Sequence, residues 1–326
     1  MILDEPLGRG DLLVLDGAIG SEVERLGARM DAIAWCGLAN RDHPDIVRQV
    51  HDEYLRAGAN IVTANTFATC RHVIAATGDG DACRSVTASG VQLCREAIDE
   101  VGADRPVAVA GSMSNQVAWI PGTLSPDPAH APTPETEAAN YREHAEVLAE
   151  AGADLLLLEM MQDVDHASRL VEAASTVGLP LWIGISCSIT PNGEAVAWDQ
   201  HLEEPAHHLD PSQPSQRRRL PLSRVVEAML DYHPQVMGIM HSGSTSVQTG
   251  LDAIRERWSG PLMAYPESTN HHAVDPATFA KHCQTWADSG VQIIGGCCGT
   301  TIDHIRTMVN EITGELDRGP EFKTET

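Results

Sequence analysis

The chain has 326 residues, of which 42% are hydrophobic, and a formal net charge of −24 at pH 7. That balance argues against nucleic acid as a partner, because phosphate binding needs clustered Lys and Arg, and the only lysines are Lys281 and Lys323. No run approaches the roughly 20 apolar residues that span a bilayer, and the first six residues lack the basic start and apolar core of a signal peptide, so no membrane association and a cytoplasmic setting with reduced thiols are expected.

The first predicted strand is residues 12–15, a short apolar run that ends at Asp16-Gly17. A polar segment with Trp35 and Cys36 follows. The next element reads as a helix: Pro44 suits a first turn, Asp45 favours its positive end, and Ile46, Val47, Val50, Tyr54 and Leu55 recur at helical spacing. It stops at Ala57-Gly58-Ala59, and residues 61–64 form the second predicted strand. The same joint, Gly after a helix end and then an apolar run, recurs before residues 155–158 and before residues 291–294. Residues 107–110, 181–185, 236–240 and 262–265 complete a series of eight.

Eight strands alternating with helices, none reading as an antiparallel hairpin, predict an α/β fold of the (β/α)8 TIM barrel type in one domain. A doubly wound sheet is the rival, but no dinucleotide-type glycine fingerprint follows the first strand. The barrel is expected over residues 1–313, with long Pro-rich loops at about 120–140 and 190–220, and residues 314–326 as a polar tail. The one basic cluster, Gln216-Arg217-Arg218-Arg219, reads as part of a solvated loop.

Active sites of such barrels lie at the C-terminal ends of the strands. Those ends carry Asp16, Asn65, Ser112, Glu159, Cys187, His241, Glu267 and the pair Cys297-Cys298. Glu159 follows four leucines, and a buried carboxylate needs a cation or hydrogen-bond donors. None of the other strand ends is Lys or Arg, so a ligand's ammonium is an economical partner, with backbone capping or a loop Arg as the alternative. The eight cysteines show no secreted-type spacing and read as free thiols and ligands. One imidazole and two thiolates leave a tetrahedral position open, as in a catalytic zinc site. His241 alone reads more readily as a core histidine, and Cys297-Cys298 alone as small buried hydrophobes. Their convergence on one mouth favours the metal.

These pieces resemble the homocysteine S-methyltransferase family. The resemblance runs from about Leu12 to Val309 and is carried by Leu15-Asp16-Gly17-Ala18-Ile19-Gly20, by residues 51–59, by Ala64-Asn65-Thr66-Phe67, by Leu157-Leu158-Glu159, and most specifically by Gly295-Gly296-Cys297-Cys298-Gly299-Thr300. It implies a barrel in which zinc (Zn2+) activates homocysteine as the thiolate, with Cys297 and Cys298 as ligands. Asp16 and Glu159 would hold the amino group, as the catalytic carboxylates of the site. Phe67 would stand near the methyl donor, and Gly17 and Asn65 would line the substrate side; Glu267, at a departure from the family pattern, is read as substrate-binding, with an added metal ligand or a helix cap as alternatives.

Two departures from the family pattern stand out. Relatives end the sixth strand with Gly-x-Asn-Cys, whose Cys is the third zinc ligand, and this chain reads Gly238-Ile239-Met240-His241. Relatives follow the seventh strand with Tyr-Pro-Asn, and here Tyr265-Pro266-Glu267 stands. The first expectation is a zinc-dependent methyltransferase moving a methyl group from a small onium donor to homocysteine or a related small thiol. S-methylmethionine or S-adenosylmethionine is favoured over a betaine, because the C-terminal extension of the betaine-dependent relatives is lacking. The alternatives are a different acceptor such as a corrinoid protein, or a non-catalytic barrel that binds an amino acid or metal. Oligomeric state is left open, with a homo-oligomer compatible. So is the question of whether Met160 approaches the metal or only packs.

Overall fold

A computed structural model describes residues 1–123, 126–190, 192–197 and 220–313. The predicted basic cluster and polar tail lie outside the described residues, as does most of the second long loop. Among the described residues, nine strands form in chain order: β1 (Leu13–Val14), β2 (Ile61–Thr63), β3 (Ala108–Ser114), β4 (Leu155–Glu159), β5 (Leu181–Ile189), β6 (Ala195–Ala197), β7 (Val236–Gly243), β8 (Leu262–Glu267) and β9 (Ile293–Ile294). Eight of them, all but β6, pair in parallel in the order β1-β9-β8-β7-β5-β4-β3-β2. A parallel bridge from Leu15 to Ile61 joins the two ends of that list and closes the ring. This is the expected (β/α)8 barrel, and each predicted apolar run contributes one strand to it.

The exception is β6, which pairs antiparallel with β5, Cys187 opposite Ala197 and Ile189 opposite Ala195. The expectation of no hairpin is therefore corrected. Its local signal was Asn192-Gly193, the residue pair that favours tight hairpin turns, with Gly193 at φ +84°.

Burial sorts the apolar residues into two shells. Val62, Val109, Leu156, Leu158, Ile183 and Ile239 face outward and pack under the surrounding helices. Their neighbours one residue along, among them Ile61, Ala108, Leu155, Leu157, Trp182 and Met240, point inward and fill the barrel. This is the period-two alternation of strands buried on both faces. The helix Pro44–Arg56 forms as expected, with Pro44 in its first turn and Val47, Val50, Tyr54 and Leu55 buried. The N-terminal helix Asp4–Arg9 has a role that its sequence did not announce. Leu3 and Leu7 join the inward-facing cluster and stop the N-terminal end of the barrel. Gln235 Nε2 and Gln292 Nε2 tie this segment to the strand starts, donating to Asp4 Oδ1 and to the Leu7 carbonyl.

Candidate active site at the barrel mouth

The opposite end of the barrel opens into a cavity of about 660 Å³, within the range of small-molecule sites. Asp16, Gly17, Asn65, Phe67, Ser112, Glu159, Met160, His241, Glu267, Cys297 and Cys298 all line it. Cys187 does not, although it also lies beyond a predicted strand. There β5 runs on to Ile189, and the pleat turns the Cys187 sulfur outward to pack at the helix Ser244–Arg255, within 3.8 Å of the Ser246 carbonyl.

The two cysteines sit on a loop held from both sides. The Cys297 amide donates to the Pro266 carbonyl at 2.8 Å, and the Cys298 carbonyl accepts from the Ser268 amide at 2.8 Å. On the other side, the Gly296 amide donates to the Asp16 carbonyl at 2.9 Å. Gly295 is needed there, because a Cβ would stand 2.6 Å from the carbonyl oxygens of Leu15 and Asp16. The glycines thus let the loop approach the end of β1. At Gly299, φ is +74° and a Cβ would meet the Ser268 carbonyl oxygen at 2.2 Å, so both conformation and space call for glycine.

His241 reaches the same point by a different device. The β7–β8 register shifts between Met240 and Gly243, a bulge that re-aims the intervening side chains. His241 takes φ +42°, a strained value for a non-glycine residue. Its Nδ1 then lies 3.5 Å from Cys297 Sγ, and the two sulfurs lie 3.9 Å apart. All three donor atoms fall within 4.8 Å of one another, the one His/Cys/Asp/Glu grouping of metal-binding spacing among the described residues. Burial alone would lower the His241 imidazole. Burial is the largest single influence, but the charge and hydrogen bond of Cys298 together with the charges of Glu267 and Glu159 outweigh it and raise the imidazole to about 9. Cys298 is held well below the usual thiol range by the Cys297 hydrogen bond and by His241, while its partner Cys297 is pushed up.

The carboxylates occupy the floor. Asp16 accepts from the Thr63 amide at 2.6 Å and from Thr63 Oγ1 at 2.7 Å, across the β1–β2 closure. Burial pushes its carboxyl up to about 7, the Thr63 bonds oppose the rise and the charge of Glu159 adds to it. Glu159 is also raised to about 7 by burial, with the Ser112 hydrogen bond opposing and Cys298 adding. Its partner is the Ser112 hydroxyl, which donates to Oε2. Neither of the alternatives read from sequence, a backbone cap or a loop Arg, describes that contact.

Other predicted residues have structural duties as well. The Asn65 carboxamide donates to the Cys36 carbonyl and to Asn40 Oδ1, and a Cβ at Gly17 would meet the Tyr54 hydroxyl oxygen at 2.6 Å. Met160 is buried, with φ +59°, and its amide approaches the Met240 sulfur at 3.3 Å, so it packs within the barrel.

Three contributions were not read from sequence. Thr63 fixes Asp16. Trp35 and Trp119 stand beside Phe67 on the cavity wall, with Trp35 ring centroids 6.2 Å from Phe67 and 6.0 Å from Trp119. His272 lies 3.8 Å from Glu267. Thr63 is the last residue of β2, in a run already read as a strand but not as a site, and Trp35 lay in a segment that had drawn notice; Trp119 and His272 carried no signal of their own.

A family model described as homocysteine S-methyltransferase matches residues 13–312. Among curated proteins, the homocysteine S-methyltransferase of Escherichia coli (strain K12) is 28% identical over 312 residues, covering 90% of this chain and 93% of that protein. The selenocysteine methyltransferase of Astragalus bisulcatus is 25% identical, covering 91% of each. Among solved structures, the homocysteine methyltransferase MmuM from Escherichia coli in its metallated form superposes with a TM-score of 0.72 at 23% identity, over 94% of this chain and 99% of that one.

Proposed function

The chain belongs to the homocysteine S-methyltransferase family, and from that premise we propose that it moves a methyl group from a small onium donor to the thiol of homocysteine, using a zinc ion held by His241, Cys297 and Cys298. The observation that carries the reading is the spacing of those donors. A tetrahedral zinc with Zn–S of about 2.3 Å and Zn–N of about 2.0–2.1 Å has ligand–ligand edges of about 3.8 Å for S–S and about 3.6 Å for S–N. The sulfurs are 3.9 Å apart, and Cys297 Sγ is 3.5 Å from His241 Nδ1. Three protein ligands at an open cavity would leave one position free for a small thiol, whose acidity zinc would raise toward the thiolate.

The chain's own residues supply the rest. Asp16 and Glu159 are buried acids without a Lys or Arg beside them in the described site, and each is fixed by hydroxyl donors. An amino-acid ammonium between them would give both carboxylates a counter-charge and would set the acceptor's direction. Trp35, Phe67 and Trp119 offer ring faces and edges where a sulfonium or quaternary ammonium gains cation–π attraction. In the transfer, an electron pair of the acceptor sulfur forms the new S–C bond as the donor's onium–C bond breaks and its pair stays on the leaving atom. The thiol proton goes to solvent. Alignment of the two partners in a cavity from which water is expelled is the chain's catalytic contribution. S-methylmethionine and S-adenosylmethionine are the donors we favour.

The test joins metal analysis with a transfer assay. About one zinc per chain and methionine formation from homocysteine with one of the sulfonium donors are expected. A protein that turns over without zinc, or that holds zinc and methylates no small thiol, would sink the proposal.

A further inference from the structure

We propose that Glu267 is a positioning carboxylate of the metal centre: it steadies the far edge of the His241 ring and supplies the negative charge that a third thiolate would have carried. This rests on the zinc reading above.

The two imidazole nitrogens face different groups. Nδ1 faces the Cys297 sulfur at 3.5 Å, and Nε2 faces Glu267 Oε2 at 4.0 Å. A metal-ligating imidazole characteristically presents its other nitrogen to a carboxylate or carbonyl, which sets the tautomer and strengthens the ligand. Glu267 is built for that place. It is buried, its Oε2 accepts from Thr269 Oγ1 at 2.7 Å, and its Oε1 lies 3.8 Å from His272 Nε2. His272 is seated closely against the end of the β7 bulge, where a Cβ on Gly243 would stand 2.3 Å from its Nδ1.

Glu267 is also coupled to the cysteines through the backbone. Its two chain neighbours, Pro266 and Ser268, make the hydrogen bonds that hold Cys297 and Cys298. A single two-residue connection therefore sets the distance between this carboxylate and both sulfurs. The charge count points the same way. Two thiolates and a neutral imidazole carry one negative charge fewer than three thiolates, and a carboxylate behind the imidazole restores it one bond network further out. His241 and Glu267 lie near the C-terminal ends of neighbouring strands of the barrel, β7 and β8, and the structure puts them face to face.

A double-mutant cycle read as zinc affinity, by competition with a chromogenic chelator, tests this without recourse to turnover. In the wild-type background Glu267→Gln should weaken zinc binding by about 10–100-fold, the usual cost of losing such a partner. In a His241→Cys background, where there is no imidazole to orient and the third thiolate brings its own charge, the same change should cost about twofold or less. Glu267→Asp, which keeps the charge, should lose less than Glu267→Gln. Circular-dichroism melting of each variant without added metal checks that all four chains fold. Equal losses in both backgrounds, no loss in either, or an Asp variant weaker than the Gln variant would overturn the role of Glu267. Wild-type protein that takes up no zinc would instead overturn the metal reading from which the role follows.

Discussion

The two ends of this barrel are built from the same strands and obey opposite rules. At the N-terminal end, Leu3 and Leu7 press into the inward-facing side chains and leave an apolar stopper. At the C-terminal end the same interior meets two raised carboxyls, a thiol pair, an imidazole and a wall of tryptophan. Strain follows chemistry. Five non-glycine residues have positive φ among those described, and four of them, Trp35, Met160, His241 and Asn270, line the mouth cavity. Stability is stored at one end and spent at the other, as expected where pre-organisation is part of function.

Substitutions at each end should therefore separate stability from activity. The largest effect is expected for Cys298→Ala, with zinc content falling from about one per chain to a trace and methyl transfer falling to background, while the thermal midpoint without metal stays near wild type. An active, zinc-free Cys298→Ala protein would break the contrast at its centre.

Leu3→Ala is the counterpart at the stopper. Removing a fully buried leucine should cost about 2–5 kcal/mol in denaturant unfolding, while kcat and KM below the melting range stay unchanged. A loss of activity without a loss of stability would mean that the two ends are not independent.

Glu159→Gln addresses the floor of the mouth. Losing one charged partner of an ammonium is worth about 1.5–3 kcal/mol, or roughly 10–150-fold in kcat/KM for the acceptor. The pH dependence sharpens this. The Asp16 and Glu159 carboxyls rise in the folded chain from 3.8 and 4.5 to about 7. The unfolded chain thus gives up these protons first, and stability from these groups is full below pH ~4 and lost as pH rises through about 7. Glu159→Gln should gain on wild type in thermal melts at pH 8 relative to pH 4. Acceptor KM, which needs the ionised forms, should fall over the same rise in wild type and change less in the variant. A constant difference in melting between the two pH values would count against the raised carboxyl.

The smallest effect is expected at the aromatic wall. Trp119→Ala should raise donor KM alone, by the roughly 0.5–2 kcal/mol of a cation–π contact. If acceptor KM moves instead, the wall serves the other substrate.

How much of this could be read from the residues differs by the kind of signal. The strands were legible because each is a short, mostly apolar run, and the site was legible because Asp16, Glu159, His241 and Cys297-Cys298 follow such runs. The partners were not. Thr63 is an ordinary hydroxyl residue in sequence and Ser112 was read only as a strand end; they become partners of the carboxylates because β2 lies beside β1 and β3 beside β4. The bulge that aims His241 has no residue signature in Met240-His241-Ser242-Gly243, since it is a property of the β7–β8 register. Leu3 and Leu7 drew no structural reading at all, because a barrel bottom has no local pattern of its own.

The closure of the ring has a consequence for how the molecule comes into being. Leu13 pairs with Ile293, and the Ala18 amide donates to Thr300 Oγ1 across 282 residues. Contacts so distant along the chain bear the largest loop-closure cost and form slowly. A ribosome must therefore deliver nearly the whole barrel before its first strand acquires its second neighbour. Asp16 leads away from one side of that seam and Cys297-Cys298 from the other, so the buried carboxyl and the thiol pair meet only when the seam zips. Catalytic competence and completion of the fold are a single event in the life of the chain.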